Sequence, residues 1–183
     1  MNSSETDEKL LATFVKGDRA ALGELARRHE RSLLGLAHGL LGGGSVAACD
    51  AVQETWVRVI RYGHSFNGRS SFRTWLYRIT INRCRDLRRR TPAPQGDERI
   101  AQIPAGGRPS DHGSMVTERN QTLRDAVERL AEPKREVIRL CYHEGMTHEL
   151  AETVLEIPLG TLKSRLHAAL KELREHLCDE VRS

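Results

Sequence analysis

Apolar residues recur at intervals of three and four along residues 5–90, and short glycine-rich or polar breaks separate the repeats. This spacing predicts amphipathic helices that each bury one face. Four groups of positions mark these faces: Leu22, Leu25, Ala26 and His29; Leu33, Leu36, Ala37 and Leu40; Val52, Trp56, Val59 and Ile60; and Phe72, Trp75, Leu76 and Ile79. The run Gly42-Gly43-Gly44 is predicted to end the second helix.

The same periodicity returns over residues 116–180 and predicts four more helices. Their apolar faces carry Leu123, Val127 and Leu130; Val137, Leu140 and Cys141; Leu150, Val154 and Leu155; and Leu162, Leu166, Ala169, Leu170, Leu173 and Leu177. Pro133, Gly145 and the pair Ile157-Pro158 separate these helices. Proline suits a first helical turn, where its missing N–H is harmless, so Pro158 is predicted near the start of the last helix.

Residues 91–115 lie between the two helical zones and contain four of the six prolines and four of the fifteen glycines. That density disrupts helix and strand alike and predicts a flexible tether. We therefore expect an all-α protein with two small helical domains, residues 5–90 and 116–180. The alternative is a single domain with one long loop, but a loop of this length is uncommon inside a compact domain.

The composition excludes several classes of protein. Of the 183 residues, 38% are hydrophobic and only 4% are aromatic, which favours helices over a β-sandwich or barrel. No apolar run is long enough for a transmembrane helix, and the polar, acidic N-terminus does not resemble a secretory signal. The four cysteines are far apart and form no CxxC pair, which argues against a disulfide framework. We expect a cytoplasmic protein without membrane insertion.

Positive charge is concentrated on two predicted helices, although the net charge of the chain is only +4. In the first, residues 76–90 hold six arginines against one acid, Asp86. Arg78, Asn82, Arg85 and Arg89 share one face of such a helix. Because arginine can meet a phosphate with two hydrogen bonds, this face predicts contact with nucleic acid. The alternative is an ordinary solvated basic face.

The last predicted helix is the second basic one, with Lys163, Arg165, Lys171 and Arg174 against Glu172 in residues 161–174. It follows a shorter helix and a tight turn, which is the helix-turn-helix pattern, and its first turns can enter a major groove. The alternative is an ordinary antiparallel helix pair. Two weak sites on one tether gain effective concentration on a single DNA molecule, so we expect a protein that bridges two separated DNA elements.

Four segments carry a resemblance to a known family: Asp50–Trp56, Ser71–Ile79 with the following Asn82, Asp86 and Arg89, Leu130–Ile138, and Ile157–His167. They resemble, in this order, the core-binding helix and the promoter −10 helix of region 2, and the entry and recognition helix of region 4, in the sigma-70 family of RNA polymerase sigma factors. The resemblance is to its small two-domain extracytoplasmic-function (ECF) group.

The resemblance implies a bacterial transcription initiation factor that has no catalytic residues, cofactor or metal of its own. Such a factor binds core RNA polymerase through the β′ clamp and the β subunit, and it binds promoter DNA. Region 2 would recognise the −10 element and help to open the duplex, and region 4 would recognise the −35 element. Most of this group are held by an anti-sigma factor, so we expect one here, and we expect the free protein to be monomeric.

The resemblance also assigns residues to these contacts. Core polymerase would meet the polar face formed by Asp50, Gln53 and Glu54. The −10 contacts would be Asn67 and Ser70 in a base-accepting loop, followed by Arg78, Asn82, Arg83, Arg85 and Arg89. The −35 contacts would be Thr161, Lys163, Ser164, Arg165 and His167. Trp75 and Tyr77 could stack on bases, although Trp75 also lies on the apolar stripe, and a salt bridge is the simplest role for Asp86.

Four positions depart from the family pattern in the second zone. Ala151-Glu152 stand where the family usually has Ile-Ala, Glu156 stands where it usually has glycine at the turn, and Ala168 stands where it usually has arginine. Glycine adopts a left-handed φ at little steric cost and glutamate does not. We therefore expect either a reshaped turn or a strained or different conformation of Glu156, and the loss of one phosphate contact at position 168.

Other functional classes are weaker. An enzyme would need a catalytic constellation, and the histidines of His143–His148 are five residues apart and interrupted by Gly145, so they would miss the shared helical face of a zinc motif. A stand-alone helix-turn-helix regulator does not account for the segment Asp50–Trp56. A pure adaptor would bind polymerase without supporting transcription.

Overall fold

The computed structural model describes residues 5–42, 45–90 and 115–181. These residues contain eight α-helices and no β-strand, which confirms the all-α prediction. The helices up to residue 90 form one compact unit, and those from residue 115 form a second. The predicted tether, residues 91–115, lies outside the described residues except for Met115, and the predicted domain boundaries stay predictions.

The first unit has four α-helices and one short turn of 3₁₀-helix. They are α1 (Asp7–Val15), α2 (Arg19–Leu40), α3 (Ser45–Tyr62), the 3₁₀ turn Gly63–Ser65, and α4 (Phe72–Arg90). Helix α2 replaces the two helices predicted from the first two apolar groups. That prediction was wrong because His29 and Leu33 are four residues apart with no glycine or proline between them, so one buried face continues along the whole helix.

Helix α1 was not predicted, yet it completes the core of this unit. Leu10 and Leu11 are buried. A Cβ on Gly63 would lie 3.2 Å from Leu11 Cδ1, so the bare glycine backbone lets α1 approach the 3₁₀ turn closely. The largest fully buried side chains of the unit come from α1, α2, α3 and α4: Leu11, Leu25, Leu33, Leu36, Val59, Phe72, Leu76, Tyr77 and Ile81.

A charged cluster joins α1 to α2. Asp7 Oδ2 lies 2.6 Å from His29 Nε2, and Arg28 Nη1 donates to Asp7 Oδ1 at 3.0 Å. Glu24 accepts hydrogen bonds from the guanidinium groups of Arg27 and Arg28. The bonds from Arg27 and then Arg28 lower the pKa of Glu24 to about 2.

This lowered pKa gives the first unit a pH-dependent contribution to stability. Because the pKa of Glu24 is lower in the folded state, its ion pairs stabilise the fold above the ordinary carboxyl pKa of 4.5 and are lost as the pH falls through about 2. In urea denaturation, we expect the free energy of unfolding of the wild type to exceed that of Glu24→Gln by a small amount. We expect this difference to shrink as the pH falls from 4.5 to about 2. Glu30→Gln, a change at an exposed glutamate of α2, is the control. A difference that is constant with pH would contradict this assignment.

The second unit also has four α-helices. They are α5 (Met115–Arg129), α6 (Glu132–Ile138), α7 (His148–Leu155) and α8 (Leu159–Val181), with a turn of π-helix, Arg139–His143, directly after α6. Leu130, Val137, Leu140, Val154, Leu162 and Ala169 are buried in its core. Pro133 lies in the first turn of α6, where its missing N–H costs nothing.

A buried arginine of α6 binds the backbone at the end of α5. The Arg135 guanidinium donates to the carbonyl oxygens of Glu128 and Leu130, and its bond to Leu130 O is 2.9 Å long. Lys134 also forms an ion pair with Glu172, which holds α6 against α8. These contacts use basic side chains to join helices within the unit.

Four of the apolar positions predicted for the core are exposed instead. Ile60, Leu123, Leu150 and Leu170 each expose more than a third of their surface. At Ile60, Leu150 and Leu170 the prediction was wrong because each lies at the edge of an apolar stripe. Leu123 lies in line with the buried Val127 and Leu130 but is itself not covered. A stripe of this width is covered only where a neighbouring helix packs against it.

The turn between α7 and α8 contains a strained residue. Glu156 has φ 56° and ψ 42°, the left-handed conformation, and it is the only non-glycine residue with positive φ among the described residues. This conformation ends α7, because the Glu156 N–H donates to Glu152 O. Of the two alternatives expected from the sequence, the strained conformation of Glu156 is therefore the one observed. Glutamate adopts the conformation that glycine would otherwise adopt, and it carries the steric penalty of a side chain there.

Relieving this strain should stabilise the second unit. We expect Glu156→Gly to raise its free energy of unfolding by about 1 kcal/mol, measured by urea denaturation followed by far-UV circular dichroism. Glu175→Gly, in the exposed interior of α8, should instead lower the free energy by about 1 kcal/mol. Tryptophan fluorescence should not change in either variant, because both tryptophans, Trp56 and Trp75, lie in the first unit. Destabilisation by Glu156→Gly would show that the turn is not strained.

Candidate nucleic-acid interface

The predicted −10 contacts on α4 are four arginines and one asparagine, which differ in exposure and in their hydrogen-bond partners. Arg78, Asn82, Arg83 and Arg85 are half-buried, and Arg89 is exposed. Arg85 Nη1 donates to Asn82 Oδ1 at 3.3 Å. Arg89 Nη2 forms a salt bridge with Asp86 Oδ1 at 3.2 Å, so Asp86 has the role predicted for it. These side chains form a basic surface that one internal acid partly neutralises.

A further arginine of α4 has a structural role. Arg88 Nη1 donates to Leu40 O at 3.2 Å, so it caps the last turn of α2. Its guanidinium is thus held by a carbonyl that has no partner within its own helix. The count of six arginines on α4 therefore overstates the number that can meet a phosphate.

The loop before α4 is ordered by its own short polar residues. Asn67 Oδ1 accepts from Arg69 N at 3.1 Å, which is an Asx turn, and Gly68 has a φ of +70°. Ser71 Oγ accepts from Thr74 N at 3.1 Å and so caps α4. Of the two predicted base contacts, Asn67 is exposed and Ser70 is half-buried. Both lie on a loop whose shape is set before any ligand binds.

An aromatic cluster lies beneath this loop. Phe66 and Phe72 each pack against Trp75, with ring centroids 5.5 and 6.1 Å apart. Trp75 is half-buried, in agreement with its position on the apolar stripe. Tyr77 is fully buried, and the Arg73 guanidinium lies 5.2 Å from the centroid of its ring. The suggestion that Tyr77 stacks on bases was therefore wrong, because its ring belongs to the core.

A carboxylate that no local sequence pattern indicates supports this loop. Glu8 Oε1 on α1 accepts from the backbone N–H of Phe72 at 2.9 Å, at the first residue of α4. The negative charge lies at the positive end of the helix dipole. The two residues are 64 positions apart, so only the tertiary structure brings them together.

Helix α3 presents the predicted polymerase-binding residues on a mixed surface. Asp50 and Gln53 are exposed and Glu54 is half-buried. Three apolar side chains lie on the same exposed side of α3: Val46, Val57 and Ile60 are 71%, 44% and 53% exposed. Val46 and Val57 were not among the predicted residues, although both follow the same helical spacing as Asp50 and Gln53.

Helix α8 carries the predicted −35 residues in its first turns. Lys163, Ser164 and His167 are exposed, and Thr161 and Arg165 are half-buried on the flanks. Helices α7 and α8, with the three-residue turn 156–158 between them, form a helix-turn-helix. The structure therefore brings all five predicted residues to one end of one helix.

Two acids of α7 lie close to this end of α8. Glu149 has a lowered pKa because of its own backbone N–H, the Thr147 hydroxyl and the nearby charges of His148 and Lys163. Glu152 Oε1 accepts from the backbone N–H of Leu159, the first residue of α8, at 3.2 Å. The candidate −35 surface thus combines exposed basic side chains with two carboxylates.

Neither metal binding nor membrane crossing has support in the described part of the chain. His143 Nδ1 lies 3.2 Å from Glu144 Oε1, and no group of His, Cys, Asp and Glu side chains there could hold a metal ion. None of the described helices is both long enough and apolar enough to span a bilayer.

Two helical units that each expose a basic helix, one of them in a helix-turn-helix, are typical of nucleic-acid-binding proteins. Comparison with known proteins identifies the family. The family model described as Sigma-70 region 2 matches residues 25–92, and the one described as Sigma-70, region 4 matches residues 120–173. The chain belongs to the sigma-70 family of RNA polymerase sigma factors, in its ECF group. Sigma factors are transcription factors rather than enzymes.

Similar proteins span nearly the whole chain. The ECF RNA polymerase sigma-E factor of Escherichia coli K12 is 30% identical over 92% of this chain and 93% of its own length. The RNA polymerase sigma-H factor of Pseudomonas aeruginosa is 28% identical over 97% of this chain and 96% of its own length. Among solved structures, the sigma factor RpoE of Bartonella quintana, in complex with the anti-sigma factor NepR, is 26% identical with a TM-score of 0.63, and the match covers 85% of this chain and 95% of RpoE.

A second solved structure supports the fold. CnrH, in complex with the cytosolic domain of CnrY, has a TM-score of 0.72 at 24% identity, and the match covers 96% of this chain and 99% of CnrH. The matched region 2 begins at residue 25, so helix α1 lies outside it.

Removing the Glu8 carboxylate should loosen the start of α4. We expect Glu8→Ala to lower the free energy of unfolding of the first unit by about 1 kcal/mol, the usual effect of losing a helix cap. Glu8→Gln keeps an oxygen acceptor and should lose less than half of that. Urea denaturation followed by tryptophan fluorescence measures both effects, because Trp75 packs under the loop. Equal losses in the two variants would show that the charge of Glu8, and not its hydrogen bond, supports α4.

Proposed function

We propose that this sigma factor directs core RNA polymerase to promoters through two DNA contacts, one from each helical unit. In this proposal residues 5–90 act as region 2, residues 91–115 are the flexible linker, and residues 116–180 act as region 4. The observation that carries the proposal is that each family-matched unit presents most of its predicted contact residues at the surface of one helix or its adjoining loop. Polymerase catalyses RNA synthesis, and this chain recognises the promoter.

Core polymerase binds the exposed face of α3 in this proposal. The face is acidic at Asp50 and Glu54, so it does not suit DNA, and Gln53 adds hydrogen-bonding groups. The exposed apolar side chains beside it, above all Val46 and Ile60, add area that a protein partner can bury. The partner is the β′ clamp, and the β subunit would meet region 4. The family resemblance supports both assignments.

Recognition of the −10 element combines base capture with phosphate contacts. Holding a base outside the duplex costs a few kcal/mol, so a preformed pocket must compensate for that cost. The Asx turn at Asn67 and the cap at Ser71 preform the loop that would receive the base. Arg78, Asn82, Arg83, Arg85 and Arg89 then contact the strand along α4. Strand opening follows because the captured base is stabilised only outside the stack.

Recognition of the −35 element is assigned to the first turns of α8. Lys163 and Arg165 are the candidates for guanine contacts, the commonest specific pairing in a major groove. Thr161, Ser164 and His167 supply shorter hydrogen-bonding groups beside them. Ala168 offers no phosphate contact, so this unit should bind more weakly than one with arginine at that position.

We further propose that an anti-sigma factor holds this monomeric protein in the cytoplasm. The RpoE relative was solved in complex with an anti-sigma factor, which supports the same kind of partner here. The second unit also exposes Leu123, Tyr142 and Leu170, three large apolar side chains that an inhibitor can cover.

In vitro transcription with core polymerase on a genomic fragment library tests this function. We expect the wild type to give specific transcripts and Asp50→Lys to weaken core binding by roughly tenfold or more, because it reverses a charge on the docking face. Lys163→Ala should keep core binding and lose initiation from promoters that have a −35 element.

The matched control is Glu30→Lys, the same charge reversal on the exposed face of α2, which should behave as the wild type. Tight promoter binding by the free protein, unchanged by core polymerase, would identify a stand-alone regulator instead. Core binding without any transcript would identify an adaptor.

A further inference from the structure

The side chain that caps the start of α8 belongs to the preceding helix, α7. The residue before Leu159 is Pro158, which has no side-chain oxygen to accept a hydrogen bond. Leu162 N bonds to Pro158 O at 3.0 Å, so the earlier N–H groups of the helix have no acceptor within the helix itself. The Glu152 carboxylate accepts from the first of them, Leu159 N, at 3.2 Å.

The same glutamate also closes the preceding helix. Its backbone oxygen accepts from the N–H groups of Glu156 and Ile157, the latter at 3.4 Å. One residue therefore holds the end of α7 through its backbone and the beginning of α8 through its side chain. The turn between them contains Glu156 in a left-handed conformation that is unfavourable for glutamate, and the Glu152–Leu159 bond spans this strained turn.

The position of this bond relates it to the proposed −35 contacts. Thr161, Lys163 and Ser164 follow Leu159 within the first two turns of α8, so the angle at which α8 leaves the turn decides where these side chains point. The Glu152 carboxylate also places a negative charge at the positive end of the helix dipole, where a DNA phosphate would otherwise be attracted.

We propose that Glu152 is a positioning residue for recognition of the −35 element. Its hydrogen bond to Leu159 N holds the beginning of α8 in one orientation against α7, and its charge lowers the affinity for every duplex. The two effects give selectivity at the expense of binding strength. The inference rests on the proposed function, because it assumes that α8 reads duplex DNA.

Two substitutions separate the hydrogen bond from the charge. Glu152→Gln keeps an oxygen acceptor and removes the charge, whereas Glu152→Met keeps the length of the side chain and removes both. Holoenzyme made with the full-length wild type is first used to enrich a −35 sequence from a duplex library randomised at that element. Each variant holoenzyme is then tested for binding to the enriched duplex and to one with a scrambled −35 element.

The affinity ratio between the two duplexes measures positioning. We expect Glu152→Gln to bind both duplexes roughly threefold more tightly, with an unchanged ratio, because only repulsion of phosphate is lost. We expect Glu152→Met to gain affinity for the scrambled duplex alone, so that the ratio falls by roughly threefold to fivefold. Glu175→Ala, which removes an exposed acid further along α8, should leave the ratio unchanged.

The outcomes separate this inference from the proposed function. A wild-type ratio in Glu152→Met, or an equal fall in both variants, would overturn the positioning role. If the wild-type holoenzyme enriches no −35 sequence, the proposed function fails and this inference fails with it. Circular dichroism checks that the variants fold. If Glu152→Met does not, Glu152→Ala takes its place in the same comparison.

Discussion

The need to pair the backbone groups at the ends of the helices is the constraint on which this structure depends. Every α-helix leaves backbone N–H groups at its start and carbonyl groups at its end without partners, and short turns offer few replacements. Here side chains from other helices supply partners, in two of three cases over long sequence distances. Glu8 binds Phe72 N, Arg88 binds Leu40 O and Glu152 binds Leu159 N. The bonds from Glu8 and Glu152 lie at the beginnings of α4 and α8, the two helices proposed to contact DNA, and the bond from Arg88 lies at the end of α2.

The same constraint decides which charges are available to ligands. Arg88 and Arg135 satisfy carbonyl groups within their own units, and Lys134 pairs with Glu172. A count of basic residues therefore overestimates the surface that can meet phosphate. The proposed DNA contacts depend instead on side chains such as Lys163 that are exposed in the first turns of a capped helix.

The glutamates of the helix-turn-helix illustrate how a departure from a family pattern is accommodated. A glycine at position 156 would adopt a left-handed φ without strain, and this chain adopts it with glutamate. The neighbouring departure, Glu152, contributes a bond that holds the two helices together. The hydrogen bond of Glu152 therefore spans the same turn that contains the strained Glu156.

The sequence by itself determined the helical class, most of the helices and the family, because these depend on the local spacing of apolar residues and on contiguous motifs. It placed Lys163 and Asp50 on exposed helix faces for the same reason. Only the tertiary structure decided that Tyr77 is buried while Ile60 is exposed, and that Glu8 supports the loop before α4. Burial at the edge of a stripe and the capping of one helix by another depend on how helices pack, and residues 64 positions apart carry no local signal of that packing.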